Sequence, residues 1–267
     1  MDLQKVTEEA LHVVETAAAF IRANLYNVRS DQVDEKGLNS LVSFVDRQAE
    51  EILVKGLSAI LPEAGILSEE ETVEQARKQL TWIIDPLDGT TNFLHSVPYF
   101  SVSVALADGP DIIAGIVHEV MHNEVFIANT GSGAFLNGKP IHVSPRVELR
   151  DILVGTGFPY NTSHVSDGHF AALRKVLMTT RGIRRIGSAA LDLCYVACGR
   201  FGAFYEHTLN PWDIAAGALI VREAGGLVSD YGGEDQWLSK GEILATAPQF
   251  LPEMLEICSE FCGPAKS

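Results

Sequence analysis

Residues 82–92, with the sequence Trp-Ile-Ile-Asp-Pro-Leu-Asp-Gly-Thr-Thr-Asn, constrain this chain more than any other segment. The apolar start predicts a buried strand that delivers Asp85 at its end. Pro86 has no N–H to donate and is expected to stop the sheet ladder there. Asp88 adds a second carboxylate, close enough to repel the first unless a cation lies between them.

The residues that follow Asp88 suit a phosphate as well. Mg²⁺ prefers oxygen ligands and usually keeps positions for a substrate phosphate, and Gly-Thr-Thr at 89–91 can direct backbone N–H groups at an anion. The run therefore predicts a metal site joined to a phosphate site. The alternative is an ordinary turn with solvated carboxylates, because Asp-Pro and Asp-Gly pairs are common turn formers.

Residues 85–93 resemble the signature of the inositol monophosphatase family, which are Mg²⁺-dependent phosphomonoesterases. A second family signature is similar to Trp-Asp-Ile-Ala-Ala-Gly at 212–217 with Glu-Ala-Gly-Gly at 223–226. The resemblance runs from about Lys36 to Gly226, in the family's order and spacing. It implies an α/β (α+β) fold of the sugar phosphatase type, a layered α-β-α-β-α sandwich.

Length and composition fit one globular enzyme. A chain of 267 residues that is 46% hydrophobic can bury a sizeable core, so we expect a single phosphatase domain over 1–267 with two intimate halves, 1–145 and 146–267. The sequence contains no run of 18 apolar residues, so no membrane helix is predicted. The N-terminus does not resemble a secretory signal, and a cytoplasmic location is therefore expected. The net charge of −15 argues against a nucleic-acid-binding face.

Residue patterns predict helices and antiparallel strands before Pro145 and an α/β alternation after it. The first half is expected to contain helices over 3–25 and 46–60, a polar loop at 31–39, strands at 100–107, 112–118 and 125–128, and a glycine-rich segment at 130–138. The second half is expected to contain strands at 152–156, 182–186, 203–205 and 227–229, and helices at 167–178, 188–198 and 213–224.

The resemblance implies two metal positions. Glu69 would share a first Mg²⁺ with Asp85 and the backbone carbonyl of Leu87, while Asp85, Asp88 and Asp213 would hold a second. From the residues alone, Glu69 could equally belong to a solvated acidic run, and Asp213 could be a plain helix N-cap.

The expected chemistry is hydrolysis by activated water. A phosphomonoester dianion repels hydroxide, so cations must neutralise it, activate water and stabilise the leaving alkoxide. The resemblance assigns Thr90 and Asp46 to orient the attacking water, with Glu69 beside them. Lys36 falls in a loop that lies near the active site in the family, although a solvated lysine explains it equally well.

Substrate contacts follow from the same resemblance. The turn Gly187-Ser188-Ala189 is similar to the family's polyol-contacting turn, and Glu206 matches an acid that binds sugar or inositol hydroxyls. The resemblance also assigns Asp88, Gly89, Thr90 and Asp213 to substrate binding. A buried carboxylate needs partners that a vicinal diol would supply, which favours inositol monophosphates.

Other functions stay open at this stage. Fructose 1,6-bisphosphate, 3′-phosphoadenosine 5′-phosphate and histidinol phosphate are alternative substrates, and a phosphatase-fold protein used mainly to bind other macromolecules is an alternative class. The family resemblance also implies a homodimer and sensitivity to lithium. No membrane or direct nucleic-acid partner is expected.

Two further sequence patterns are compatible with a zinc site. His-Glu-Val-Met-His at 118–122 matches the zinc-protease motif H-E-x-x-H, which works only on a helix; the β-branched residues before it predict a hairpin instead. Cys194, Cys198, Cys258 and Cys262 are spaced as two i, i+4 pairs. We interpret them as small buried hydrophobic residues with reduced thiols, although a zinc site is conceivable.

Overall fold

The computed structural model describes residues 1–27, 33–37, 40–158 and 167–259, with only the backbone at 33–37 and 40–42. The helices in this part of the chain are α1 Leu3–Asn24, α2 Phe44–Ile60, α3 Thr90–Leu94, α4 Asp167–Thr179, α5 Ala189–Ala197, α6 Pro211–Glu223, α7 Trp237–Lys240 and α8 Leu251–Ile257.

Most strands belong to two large sheets. A seven-stranded sheet has the order β3-β4-β5-β6-β7-β8-β9, and a five-stranded sheet has the order β11-β10-β12-β14-β13. The strands are β1 Val33–Gly37, β2 Ser40–Ser43, β3 Gly65–Ser68, β4 Leu80–Asp88, β5 Ser101–Asp108, β6 Asp111–Glu119, β7 Glu124–Asn129, β8 Ala134–Leu136, β9 Lys139–Ile141, β10 Leu153–Thr156, β11 Gly182–Arg184, β12 Ala203–His207, β13 Leu227–Ser229 and β14 Glu242–Thr246.

Three hydrophobic clusters join these elements into five layers. Helices α1 and α2 pack on the outer face of the seven-stranded sheet, α5 and α6 lie between the two sheets, and α4 and α8 cover the five-stranded sheet. This arrangement confirms the predicted α-β-α-β-α sandwich. The division into halves at residue 145 stays a prediction, since α6 from the second half packs directly on the seven-stranded sheet of the first.

Several predicted elements are wrong in detail. The segment 31–39, predicted as a loop, contains β1, which pairs with β2 in a two-stranded sheet. Lys36 lies in β1, and its side chain is outside the described residues. The glycine-rich segment 130–138 contains β8. Strand β14 was not predicted, and because it runs antiparallel to β12 and β13, the second sheet is mixed.

The cysteine interpretation is confirmed where the structure describes it. Cys194 and Cys258 are buried and Cys198 is partly buried, whereas Cys262 lies outside the described residues. Burial raises the pKa of the Cys194 thiol well above its ordinary value, as expected for an inert core cysteine. None of the helices described is long and apolar enough to cross a bilayer.

Candidate active site

Strand β4 orients the first carboxylate through its pleat. Trp82 and Ile84 pack in the cluster under α1 and α2, whereas Ile83 packs in the cluster around α5 and α6. Side chains alternate between the faces of a strand, so Asp85 shares the face of Ile83. The buried Asp85 therefore points toward the middle layer, where α6 begins.

A β-bulge, and not the end of the strand, follows Asp85. The pairing with β5 shifts so that Asp85 lies opposite Ser103 and Asp88 opposite Ser101. Three steps along β4 thus match two along β5, and Asp88 faces the same middle layer, where it contacts α5. In a regular strand, residues three apart would point to opposite faces. The prediction that Pro86 stops the ladder is therefore wrong, because β4 continues through the bulge.

Glu69 reaches the same point from the neighbouring strand. β3 runs parallel to β4, and the Glu69 N–H donates to the carbonyl of Ile84 at 3.2 Å. Burial raises the pKa of Asp85 well above its ordinary value, and the nearby charges of Glu69, Asp88 and Asp213 raise it further. The structure thus brings together the four carboxylates that the sequence assigned to metal binding.

Two helix starts hold the other carboxylates. Oδ2 of Asp88 accepts from the Ser188 hydroxyl at 2.6 Å and from the Ala190 N–H at 2.8 Å, where α5 begins. Oδ2 of Asp213 accepts from the Asn210 N–H at 2.6 Å in the capping box of α6. Helix N-termini favour negative charge. Burial nevertheless raises the pKa of Asp88 to about 6 and that of Asp213 to about 8.

A hydroxyl–carboxylate pair stands beside the bulge. Thr90 Oγ1 lies 2.8 Å from Asp46 Oδ1 and 3.0 Å from the carbonyl of Leu87. Oδ2 of Asp46 accepts from the N–H and the hydroxyl of Ser43, at 2.8 and 2.6 Å, where α2 begins. Burial raises the pKa of Asp46, and these hydrogen bonds oppose the rise. A hydroxyl has one proton, so Thr90 can donate to Asp46 or to Leu87 but not to both at once.

The donor set fits a hard cation in chemistry but is not preassembled. Carboxylates and a backbone carbonyl are the oxygen ligands that Mg²⁺ takes in proteins. Within the described residues, however, no three His, Cys, Asp or Glu side chains are already grouped as a metal would hold them. Oδ2 of Asp88 and Oδ2 of Asp213 each accept from an N–H group at a helix start.

Glu206 and the turn before α5 line a narrow cleft next to Asp88. The cleft, of ≈ 40 Å³, also touches Gly187, Ser188 and Asp213. Since small-ligand sites usually hold roughly 300 Å³ or more, a polyol phosphate would have to displace lining side chains. Burial raises the pKa of Glu206 to about 8, while the Arg185 guanidinium opposes the rise.

Two glycines make room at the site, one directly after Asp88 and one beside Glu206. Gly89 has a φ of 96°, and a Cβ there would lie 3.1 Å from the carbonyl oxygen of Tyr99. A Cβ on Gly157 would lie 2.1 Å from Glu206 Oε1. Gly157 was not singled out from the sequence, because only the fold brings it against Glu206.

Glu50 is a second residue that sequence reasoning missed. It is fully buried on α2, and its carboxylate accepts from the Glu70 N–H at 2.8 Å and from the Thr72 N–H and hydroxyl at 2.7 and 2.6 Å. These bonds fix the loop that directly follows Glu69. The signal was present in the sequence, since Glu50 interrupts the apolar stripe of α2 that continues with Leu53 and Leu57.

Replacing Glu50 with Gln should therefore lower the metal affinity of the site, although Glu50 is not one of the proposed metal ligands. An amide NH₂ would face a backbone N–H, so at least one bond is lost, at a cost of about 1–3 kcal/mol in stability. Loss of such supporting bonds typically lowers metal affinity or activity by roughly 10- to 100-fold. We expect Glu50→Gln to require more Mg²⁺ for half-maximal phosphatase activity. The exposed neighbour Glu51→Gln is the control, and an unchanged Mg²⁺ dependence in Glu50→Gln would contradict the positioning role.

The H-E-x-x-H motif forms a hairpin, as predicted. His118 and Glu119 end β6, and His122 lies in the turn before β7. Buried Glu119 accepts from the Met121 N–H at 3.2 Å and from the His122 N–H, and lies 3.2 Å from His122 Nδ1. His118 Nε2 lies 3.3 Å from Asn123 Oδ1 instead. The glutamate therefore organises a turn.

The chain is similar along most of its length to an inositol-1-monophosphatase and to proteins named SuhB. An inositol-1-monophosphatase of Mesorhizobium japonicum is 45% identical over 223 residues, which cover 82% of each chain. The Nus factor SuhB of Pseudomonas aeruginosa is 41% identical over 248 residues, 91% of this chain and 92% of that protein. The crystal structure of the extragenic suppressor protein suhB from Bartonella henselae superposes with a TM-score of 0.89 at 38% identity, over 96% of this chain and 98% of that one.

The chain belongs to the inositol monophosphatase family, whose model matches residues 2–261. This membership confirms the resemblance that the motifs at 85–93 and 212–226 indicated. The roles of the individual site residues stay predictions.

Proposed function

We propose that this phosphatase hydrolyses inositol monophosphates with Mg²⁺ bound by Glu69, Asp85, Asp88, Asp213 and the carbonyl of Leu87. The observation that carries the proposal is that three carboxylates, Glu69 after β3, Asp88 at the end of β4 and Asp213 in the first turn of α6, all raise the pKa of the buried Asp85 through their charges. The start of α2 contacts Thr90 through Asp46, and the start of α5 contacts Asp88 through Ser188; helix N-termini favour an anionic substrate.

Bound cations would neutralise the phosphate charge and activate the attacking water. The protein's own part is orientation. If the Leu87 carbonyl held a cation, the Thr90 hydroxyl would donate its hydrogen bond to Asp46, 2.8 Å away, and its oxygen could accept a hydrogen bond from the attacking water. Asp46 is itself fixed by two bonds from Ser43, so the pair has one defined orientation.

A turnover panel tests the proposal most directly. Inositol 1-phosphate, fructose 1,6-bisphosphate, 3′-phosphoadenosine 5′-phosphate and histidinol phosphate would be compared as kcat/KM with Mg²⁺ present. The proposal expects inositol 1-phosphate to lead. A lead by another ester would shift the function to a sibling phosphatase with the same chemistry.

Glu206 should determine preference for a polyol. Glu206→Gln replaces one carboxylate oxygen, an acceptor for vicinal hydroxyls, with an NH₂ donor and leaves the proposed metal ligands, so at a pH above the raised pKa of about 8 the kcat/KM for inositol 1-phosphate should fall roughly 10- to 100-fold, a cost of about 1.4–2.8 kcal/mol for lost charged hydrogen bonds. Turnover of 4-nitrophenyl phosphate should change less than threefold by the same reasoning. The exposed Glu234→Gln serves as control. Equal losses on both substrates would mean that Glu206 acts through the metal site or the fold.

A second candidate function is binding to macromolecular partners, because close relatives carry the name Nus factor SuhB. The intact set of Glu69, Asp85, Asp88 and Asp213 favours retained catalysis, since a site without a catalytic role would be free to lose one of them. Low turnover on every ester of the panel, together with a captured partner, would favour the binding role. A homodimer, lithium sensitivity and a cytoplasmic location remain predictions.

A further inference from the structure

A second cavity lies on the other side of Leu209 from the substrate cleft. It has a volume of ≈ 700 Å³, and Leu209 lines both spaces. We call the buried Ile83 with the partly buried Leu67 and Leu238 its floor, and the exposed Arg77, Lys78 and Lys240 its rim. We call this cavity the basic groove. Its size lies within the range of small-molecule sites, roughly 300–1,000 Å³.

The charge of the basic groove is opposite to that of the whole chain. The sequence has 35 acidic and 20 basic residues, yet this cavity is lined by Arg77, Lys78 and Lys240 against the single acid Asp235. Asp235 is already engaged, since its Oδ1 accepts from Arg222 at 2.5 Å and from Trp237 Nε1 at 2.6 Å. Positive charge therefore dominates the rim.

Two of the three cations are available to a ligand. Lys240 is held by Asp230 at 2.5 Å and lies 3.8 Å from Glu242. Lys78 has only a long contact, 3.4 Å, to the carbonyl of Ala64. Arg77 is exposed and makes no hydrogen bond or ion pair with any residue that the structure describes. A guanidinium can bind an oxyanion through two parallel hydrogen bonds or stack on a flat ring.

The geometry points to a binding site for an organic anion with a flat apolar body, held by Arg77 and Lys78 over the floor of the basic groove. The apolar floor would bury the ring system, and the two rim cations would pair with the anionic group. This site does not depend on the phosphatase chemistry, because none of the proposed metal ligands lines the groove.

A matched pair of probes tests the site. The anion 8-anilinonaphthalene-1-sulfonate and the neutral N-phenyl-1-naphthylamine share one apolar body and differ in the sulfonate. Titration of the full chain with each, followed by fluorescence, gives two dissociation constants. The site requires that the wild-type chain bind the anion more tightly than the neutral probe; equal affinities would overturn it.

Two kinds of variant separate charge from shape. The double variant Arg77→Glu with Lys78→Glu should weaken binding of the anion about tenfold or more, a loss of about 1.4 kcal/mol. Its affinity for the neutral probe should stay unchanged. Ser239→Trp, at an exposed position on the cavity wall, should weaken both probes by filling the space. The control is Arg174→Glu with Lys175→Glu, an adjacent exposed pair on α4 that gives the same change in net charge.

The outcomes are distinct. An equal loss of anion binding in the control pair would show a general effect of net charge and overturn the site. Unchanged binding of both probes in Ser239→Trp would place them elsewhere and also overturn it. Asp85→Asn should bind both probes as wild type does, so a failure of the proposed phosphatase function leaves this test intact.

Discussion

Asp85→Asn is expected to abolish phosphatase activity while leaving the fold intact. Asp85 is buried at the point where the influences of Glu69, Asp88 and Asp213 meet, and an amide is a poor substitute for a carboxylate shared between cations. Loss of one preorganised electrostatic group commonly costs 10²–10³-fold in rate, and a shared ligand should cost at least roughly a thousandfold. The measurement is kcat/KM at saturating Mg²⁺, with circular dichroism as the check on folding.

The matched control is Asp111→Asn, an exposed aspartate at the start of β6 in the same sheet. It should keep full activity. Activity of Asp85→Asn within about tenfold of wild type would contradict the bridging role, because a difference of only about 1.4 kcal/mol is too small for a shared ligand.

The same variant should change how stability depends on pH. Because the pKa of Asp85 is raised in the folded chain, the folded state keeps a proton that the unfolded state releases. After chelation, wild-type stability should therefore fall as pH rises above the ordinary aspartate value of 3.8 and stay low above the folded pKa. Asn cannot ionise, so chelated Asp85→Asn should be the more stable protein at about pH 8 and equal to wild type near about pH 3.

The candidate site could be predicted because its residues are concentrated in short motifs. Asp85, Asp88 and Thr90 lie within one turn and strand end, and Asp213 begins a helix with its own signature. The sequence could not show to which face of β4 each of the two aspartates points. Only the pairing with β5 reveals the bulge that turns Asp88 to the same side as Asp85.

The missed parts of the fold have a common physical cause. β14 carries few local signals, and its place between β12 and β13 depends on long-range pairing. Glu50 was visible as an acid in an apolar stripe, but its partners lie 20 and 22 residues away, in the loop at 70–72. Gly157 matters only because Glu206 folds against it. In each case tertiary contacts, and not local propensity, assign the role.

Removal of divalent cations by dialysis against a chelator is expected to reduce phosphatase activity to background, and Mg²⁺ should restore it. An all-oxygen donor set suits a hard cation that is held weakly enough to be removed. Millimolar Ca²⁺ should inhibit, because the larger ion tolerates looser geometry and would misplace the attacking water. Full activity after exhaustive chelation would contradict the proposed role of Glu69, Asp85, Asp88 and Asp213.

The same dialysis distinguishes the phosphatase from a zinc protease built on residues 118–122. A protease would regain activity with Zn²⁺, cleave peptides and depend on both histidines.

We expect His118→Ala and His122→Ala to retain phosphatase activity within about threefold, because neither touches the proposed site. His118 is buried, so its replacement should lower stability, and activity should be measured well below the unfolding transition. His122 is half exposed and lies 3.2 Å from the buried Glu119, so its replacement removes a partner of that carboxylate and should lower stability while leaving activity unchanged. In the hairpin, His118 Nε2 lies 3.3 Å from Asn123 Oδ1 and His122 Nδ1 lies 3.2 Å from Glu119, so each imidazole already has a partner of its own.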